Sequence, residues 1–213
     1  MNRGAWGIVA MLAASTRLAL PSYPQQRPSA HSQVFRSADD AFQFSYRNDF
    51  KVCTAGKIKE CIDSYIPACE DDAIVCVVYP AKRFGDTSFG AAAFQVREIH
   101  TEQEQMTADV CVTPYPPSGS EYPEFQISAK NPAERIGGIL FVHGARDEAA
   151  MSHSSSVDVY RTFHRKRCYE LSVGQSGTNP DVFDPPKKTL TDEQLKDVDE
   201  SLTQILRSFR FLK

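Results

Sequence analysis

Several features that would identify a functional class are missing from this sequence of 213 residues. No apolar stretch is about 20 residues long, which excludes a membrane-spanning helix from the mature chain. Lysine and arginine number 24 against 27 acidic residues, so the formal charge of −3 gives no reason to expect nucleic acid as a partner. Phosphate-binding loops, dinucleotide-binding glycine patterns and EF-hand loops are also absent, and we therefore predict no cofactor.

The N-terminus has the pattern of a secretory signal. Arg3 precedes an uncharged apolar run of ten residues, Ala5–Ala14, which is followed by small residues. This pattern predicts a signal peptide over residues 1–20, whereas the alternative is a buried N-terminal helix. Removing residues 1–20 takes away two arginines and no acid, and the remaining 22 basic and 27 acidic side chains give a net charge of −5.

A polar segment containing proline and glutamine follows the predicted signal peptide. It predicts a disordered linker over residues 21–37, and the remaining residues 38–213 are predicted to form one domain. We therefore predict a secreted or periplasmic location.

The six cysteines support the same location. An even number of cysteines behind a signal peptide favours disulfides, whereas the alternative is zinc. No CxxC pair occurs, although structural zinc sites usually have ligands two to four residues apart. The predicted pairs are Cys53–Cys76, Cys61–Cys69 and Cys111–Cys168, on the expectation that Cys53 and Cys76 lie on neighbouring strands and that Cys111 and Cys168 lie in β-like segments.

The hydrophobic pattern predicts more strand than helix. Residues 42–46 alternate between aromatic and polar, residues 73–79 form an apolar β-branched run, and residues 157–164 and 168–173 predict a hairpin. Residues 145–156 are small and polar and predict a mobile loop. A capping box at Thr191 opens an amphipathic C-terminal helix. The predicted fold class is α+β, a mainly antiparallel sheet covered by this helix.

The order of these segments resembles a known family. An opening Phe-x-Phe-Ser-Tyr strand is followed by a central sheet, then by Tyr160-Arg161-Thr162-Phe163 and by Cys168-Tyr169-Glu170-Leu171. The chain closes with a helix and Ser208-Phe209-Arg210-Phe211. Over residues 40–212 the sequence resembles the PsbP/Mog1-like α-β-α sandwich proteins, especially secreted bacterial members of unassigned function. The resemblance implies a fold and leaves the function open.

Two clusters of side chains are candidates for a site. The first is a basic hairpin, which predicts binding of a small anionic ligand or an acidic protein surface. The alternative is that the charges at the hairpin tip serve only to prevent edge pairing. Its residues are Arg161, His164, Arg165, Lys166 and Arg167. The second is His143, Asp147 and His153, where imidazole and carboxylate groups could bind zinc without matching any known metal motif.

Two classes of function follow from these candidates. The favoured one is a non-catalytic binding or accessory protein that contacts its partner through the basic hairpin and the neighbouring residues 144–156. The alternative is a metal-assisted hydrolase that uses the region of His143, Asp147 and His153. The Gly174-Gln175-Ser176-Gly177 sequence does not add a nucleophile elbow, because Thr178 stands where that motif requires glycine.

We expect the exported protein to lack residues 1 to about 20, because signal peptides with a charged start and a short apolar run are removed from the mature protein. Intact-mass measurement of exported material tests this. Exported protein that still contains Met1 to Leu20 would contradict the prediction.

Overall fold

The computed structural model describes residues 32–39, 41–61, 68–100, 106–114 and 125–213. The predicted signal peptide and most of the predicted linker lie outside these residues. In the described part of the chain, no helix is long and apolar enough to cross a membrane.

Long strands dominate the described residues. The strands are β1 (Ser32–Arg36), β2 (Phe42–Arg47), β3 (Lys51–Thr54), β4 (Val75–Val78), β5 (Phe89–Ile99), β6 (Gln126–Ile127), β7 (Ala133–Ile136), β8 (Ile139–Ala150), β9 (His153–His164), β10 (Arg167–Thr178) and β11 (Arg210–Phe211). The α-helices are α1 (Ile58–Cys61), α2 (Ala108–Val112) and α3 (Asp192–Ser208). Short 3-10 turns occur at Ala81–Phe84 and Pro180–Val182.

One large antiparallel sheet forms the centre of the domain. Its strand order is β3-β4-β5-β10-β9-β8-β6, and β7 also pairs with β8. The C-terminal helix α3 packs on one face of this sheet, together with a small sheet of order β1-β2-β11. The predicted α+β class, a mainly antiparallel sheet covered by a C-terminal helix, is confirmed.

The small sheet begins earlier than the predicted domain. Residues 32–36, which the sequence analysis assigned to the linker, form β1 and pair with β2. Phe35 stacks on Phe44 with 5.1 Å between ring centroids, so an aromatic side chain of this segment belongs to the packed structure. The boundary predicted at residue 37 is therefore too late, because Phe35 packs on the aromatic core and the backbone of β1 pairs with β2.

Helix α3 begins as its sequence predicts and buries one face. The Thr191 hydroxyl accepts from the Gln194 N–H, and the Gln194 side chain accepts from the Thr191 N–H, which completes the capping box. The buried face packs against aromatic and aliphatic side chains of the large sheet. Its main apolar residues are Val198, Leu202, Ile205 and Leu206.

A side-chain hydrogen bond ties α3 to the residue that follows β4. The Tyr79 hydroxyl donates to Asp197 Oδ2 over 2.5 Å. Burial, followed by the Asp197 carboxylate, raises the pKa of Tyr79 to about 12. The phenol therefore stays protonated and continues to donate over the ordinary pH range.

The opposite face of the sheet carries a smaller core and the disulfides. Cys69 is bonded to Cys76, with 5.7 Å between their Cα atoms, and Cys111 is bonded to Cys168, with 5.4 Å. Cys53 is also disulfide-bonded. Oxidation is confirmed, and so is the predicted Cys111–Cys168 pair, although Cys111 lies in α2 and not in a strand.

The predicted pairs Cys53–Cys76 and Cys61–Cys69 are wrong. Cys53 and Cys76 do stand opposite each other on β3 and β4, as expected. Ala68, however, lies over the sheet face that Cys76 occupies, where it packs beside Gly174. This position brings the next residue, Cys69, to Cys76.

Residues 145–156 are strand and turn, not the predicted mobile loop. They complete β8 and start β9, and the turn between the two strands has positive φ at Met151 and Ser152, 48° and 71°. Small residues form a regular β-ladder here, because the backbone hydrogen bonds of a ladder do not depend on side-chain size. The neighbouring hairpin β9–β10 is confirmed, with its turn at Arg165 and Lys166.

A row of charges crosses the middle of the large sheet. Arg97, Glu170 and Arg161 stand directly opposite one another on β5, β10 and β9. Glu170 is 1% exposed and accepts from Arg97 Nε over 2.8 Å and from Arg161 Nε over 2.7 Å. Burial raises the pKa of Glu170, but the attraction of both guanidinium groups outweighs this effect, so its pKa lies below the ordinary value.

The lowered pKa of Glu170 predicts how stability depends on pH. The stabilisation is complete above the unfolded pKa of about 4.3 and is lost as the pH falls through the lower pKa of the folded protein. We expect Glu170→Gln to reduce the free energy of unfolding by about 3–5 kcal/mol at pH 7 and to flatten its decline in acid, since two buried guanidinium groups lose their carboxylate. Denaturant unfolding between pH 7 and pH 3 measures both effects.

Two further variants control this experiment. Glu98→Gln removes a half-buried partner of Arg167, and we expect it to change stability by about 1 kcal/mol or less. If Glu170→Gln does not fold, the triple variant Arg97→Met, Glu170→Leu and Arg161→Met should recover stability by removing every charge of the row. Equal stability of Glu170→Gln and Glu98→Gln would contradict the prediction.

Candidate functional site

The basic hairpin does not form one surface. Arg161 is buried on Glu170, and the ring of His164 stacks on Phe211 with 4.0 Å between centroids. Burial, followed by the charge of Arg165, lowers the pKa of His164, which disfavours its cationic form. These side chains therefore contribute to packing and not to a basic surface.

Arg167 is also paired within the protein. It forms ion pairs with Glu98 and with Asp39, and its hydrogen bond lowers the pKa of Asp39 to about 2. Arg165 and Lys166 are the two members of the predicted patch that are exposed at the turn. The five basic residues lie close together in sequence, which predicts a patch, whereas strand alternation and ion pairing separate them in the structure.

The hairpin tip is also distant from residues 144–156. Strand β9 has twelve residues, and it separates the β8–β9 turn from the β9–β10 turn. At about 3.3 Å per residue, the two turns are about 36 Å apart. The single contact surface predicted from the hairpin and residues 144–156 is therefore not assembled.

The structure also separates His143, Asp147 and His153. His143 Nε2 lies 3.0 Å from Asp158 Oδ1, its Nδ1 lies 2.9 Å from the Asn131 carbonyl oxygen, and its ring stacks on Tyr160. Asp147 is four residues further along β8, about 13 Å away. Among the described residues, no three His, Cys, Asp or Glu side chains are grouped so that they could hold a metal ion. The shared metal site of the alternative function is not supported.

His153 lies on the far side of the β8–β9 turn. Its Nδ1 is 3.0 Å from Thr178 Oγ1, at the end of β10. Both residues, together with Asp147, line a cleft that the sequence analysis did not anticipate.

This cleft has a volume of about 720 Å³. It lies between the ends of β8, β9 and β10 and the segment that leads into α3, where Leu190 and Leu195 form an apolar wall. Phe89 of β5 adds a further apolar side chain. Many of the remaining lining residues carry hydroxyl groups, namely Ser88, Ser152, Ser154, Ser155, Ser156, Ser176, Thr178 and Thr189.

A row of polar residues across three strands lines the cleft. Gln175 of β10 stands opposite Ser156 of β9, and Ser156 stands opposite Asp147 of β8. Directly opposite residues present their side chains on the same face of a sheet. The next residue of this row is Ala92 of β5, which belongs to the main core, so the row passes from the core into the cleft.

One acceptor of this row is unused within the described part of the chain. The Oε1 atom of Gln175 is buried and has no hydrogen-bond partner there. The alternating positions before it on the same face, Leu171 and Val173, are apolar and pack in or against the main core. An amide in place of a third apolar residue weakens packing and leaves an acceptor unsatisfied, which is typical of a position kept for function.

Sequence reasoning selected Asp147 for another reason and missed Ser156 and Gln175. No local motif joins the three residues, because strand register brings them together. The signal in the sequence is the position of the turns. Ser156 and Gln175 are equally distant along the chain from the turn at Arg165 and Lys166, so the hairpin places them opposite each other.

No protein-family model matches the chain, and no curated protein matches it. The solved structures that are similar to it include the following three. A protein from Bacteroides thetaiotaomicron VPI-5482 has 10% identity and a TM-score of 0.41, over 86% of this chain and 49% of that one. This chain thus spans about half the length of that protein.

For the other two structures, the match covers almost the whole of their own chains. LpqN, involved in cell envelope biogenesis of Mycobacterium tuberculosis, has 11% identity and a TM-score of 0.45, over 86% of this chain and 92% of its own. The cyanobacterial PsbP of Synechocystis sp. PCC 6803 has 12% identity and a TM-score of 0.42, over 87% and 95%. A PsbP, the family that the sequence resembles, is thus among the similar structures.

The unused acceptor of Gln175 leads to a stability prediction. We expect Gln175→Leu to raise the free energy of unfolding by about 1 kcal/mol, because it removes a buried acceptor that lacks a donor and adds apolar contact. Gln194→Leu is the matched control. It removes the bond to the Thr191 N–H and should lower stability by about 0.5–2 kcal/mol.

Denaturant unfolding at pH 7 measures both variants. A loss of stability in Gln175→Leu as large as that in Gln194→Leu would show that the Gln175 amide supports the fold.

Proposed function

We propose that this protein is exported to the periplasm or beyond the cell, and that it acts as a non-catalytic binding protein whose cleft receives a small polar ligand. The observation that carries the proposal is the polar row of Gln175, Ser156 and Asp147, which lines a concave surface next to the main core. Binding sites are typically concave, with apolar walls and a few polar groups that fix orientation.

Disulfide bonding supports the exported location. In the described part of the chain no cysteine is unpaired. Disulfides persist in oxidising compartments and are rare in the cytosol. The predicted signal peptide points to the same compartment.

The composition of the cleft supports binding of a small molecule more than docking of a protein surface. Apolar walls from Phe89, Leu190 and Leu195 can contact a carbon skeleton, while hydroxyl and amide groups can bond its polar atoms. A volume of about 720 Å³ lies within the range of small-molecule sites.

A panel of small polar molecules, screened by thermal unfolding of the full exported protein, tests this proposal. A ligand at 100 times its Kd should stabilise the protein by about 2.7 kcal/mol. We expect Ser156→Tyr to abolish this stabilisation, because a phenol at the centre of the row fills the cleft.

Val34→Tyr is the matched control. Val34 is 54% exposed on β1 of the small sheet, so the same side chain is added to a strand outside the cleft. Binding that persists in Ser156→Tyr would overturn the cleft as the site. If the double variant Arg165→Glu and Lys166→Glu loses binding and Ser156→Tyr does not, the result would instead support the hairpin tip as the binding site.

A further inference from the structure

The C-terminal strand β11 is a short element that depends on the packing of one aromatic side chain. It has two residues, Arg210 and Phe211, which pair with β2 of the small sheet. Directly after them, the Leu212 N–H donates to the Ala41 carbonyl oxygen over 2.9 Å. A ladder of this length is marginal by itself, so the contacts of the Phe211 ring decide whether the strand stays docked.

The ring of Phe211 packs among other rings, one of which titrates. Its centroid lies 4.9 Å from that of Tyr169 and 5.1 Å from that of Phe209. The contact with His164 is closer still, with 4.0 Å between centroids and 16° between ring planes. His164 is the last residue of β9, so the end of the β9–β10 hairpin holds the C-terminal strand through this stack.

The imidazole of His164 has no acceptor for a second proton. Its Nε2 atom is buried and has no hydrogen-bond partner within the described part of the chain. The neutral ring can carry its single proton on Nδ1, which leaves no N–H at the buried nitrogen. The imidazolium form has an N–H on both nitrogens. Protonation would therefore bury a charged donor without a partner, which is costly.

The charges around His164 add to this cost. Arg167 stands directly opposite His164 on β10, and Arg165 follows His164 in the turn. The carboxylates of Asp39 and Glu98 both form ion pairs with Arg167. Burial, followed by the charge of Arg165, lowers the pKa of His164.

The other groups at this corner do not stabilise a cation. Tyr169 of β10 faces Phe211, and burial is the main cause that raises its pKa, so the phenol stays neutral. Arg210 alternates with Phe211 along β11 and therefore faces the other side of the small sheet. Lys166 is exposed in the turn. Within the described residues, no carboxylate pairs with His164.

We propose that β11 is docked at neutral pH and released in mild acid, with His164 as the group that senses the proton. Protonation drives the imidazole away from its buried position against Phe211, and β11 then separates from β2 while the large sheet stays folded. The separation uncovers the edge of β2 that β11 occupies. An unpaired strand edge can pair with another extended segment, so the protein gains a docking edge in acid. This inference is independent of the cleft.

The direction and size of the effect follow from proton linkage. In the released state His164 titrates near the ordinary pKa of about 6.5, whereas the docked ring binds its proton at lower pH. Docking is therefore strongest well above about pH 6.5 and weakens as the pH falls toward the lowered pKa of the docked ring. Between pH 7.5 and pH 5.0, the ratio of released to docked strand should rise about tenfold. Glu170 titrates below this range, so the two effects are separate.

Hydrogen exchange of the exported protein at pH 7.5 and pH 5.0 tests the proposal. The measured quantity is the protection factor of the Leu212 N–H, which corrects for the pH dependence of the exchange reaction itself. The buried Leu202 N–H in α3 is the internal reference. We expect the protection of Leu212 to fall about tenfold at pH 5.0 and that of Leu202 to stay constant.

Three variants assign the effect to the stack. His164→Phe keeps a ring against Phe211 and removes the titrating group, so the protection of Leu212 should be equal at both pH values. If His164→Phe does not fold, His164→Gln removes the same titration. His100→Phe is the matched control, because His100 is exposed at the same end of the sheet, and it should respond to pH as the unaltered protein does. Phe211→Ala should give low protection at both pH values.

Three outcomes would overturn the proposal. The first is equal protection of Leu212 at both pH values in the unaltered protein. The second is a fall in His164→Phe, or in His164→Gln, as large as that in the unaltered protein, because another group would then be the sensor. The third is a parallel fall at Leu202, which would show unfolding of the whole domain instead of release of β11.

Discussion

The buried charge row of Arg97, Glu170 and Arg161 is the constraint on which the other features depend. It joins the three central strands at one level, with the carboxylate between two guanidinium groups. A slip of one residue in β10 would move Glu170 to the opposite, apolar face and leave both arginines without it, an arrangement that costs several kcal/mol. The row therefore fixes which residues stand opposite one another along β10 as far as Ser176, after which the register with β5 shifts. Gln175 lies five residues further along that strand, so the alignment of the polar row in the cleft depends on the register that the charge row sets.

Different elements cover the two faces of the large sheet. Helix α3 and the small sheet bury aromatic and aliphatic side chains on one face, and the disulfides Cys69–Cys76 and Cys111–Cys168 attach the connecting segments to the other. The apolar covering supplied by α3 begins near Val198, and the cleft opens beside the segment that precedes it. The proposed binding site therefore lies where the covering layer ends and the strands of the large sheet continue.

The sequence predicts the fold better than the site, for a physical reason. Periodicity and capping are local, so alternating aromatics and the Thr191 capping box identify β2, the β9–β10 hairpin and α3 directly. The disulfide pairs and the cleft depend on how distant segments cross, which local spacing does not encode. Five basic residues between Arg161 and Arg167 therefore suggested a patch, although alternation sends Arg161 into the core. Counting outward from the turns at Met151–Ser152 and Arg165–Lys166 would have aligned Asp147, Ser156 and Gln175.

The turn at Arg165 and Lys166 has a practical consequence for handling the protein. Both residues are exposed and have positive φ, and the turn is separated from the cleft by the full length of β9. A tether, a dye or a solid support attached there would hold the domain by the end of its longest hairpin. The cleft would then face solution at the other end, and a surface-based sensor made in this way would leave the cleft unobstructed.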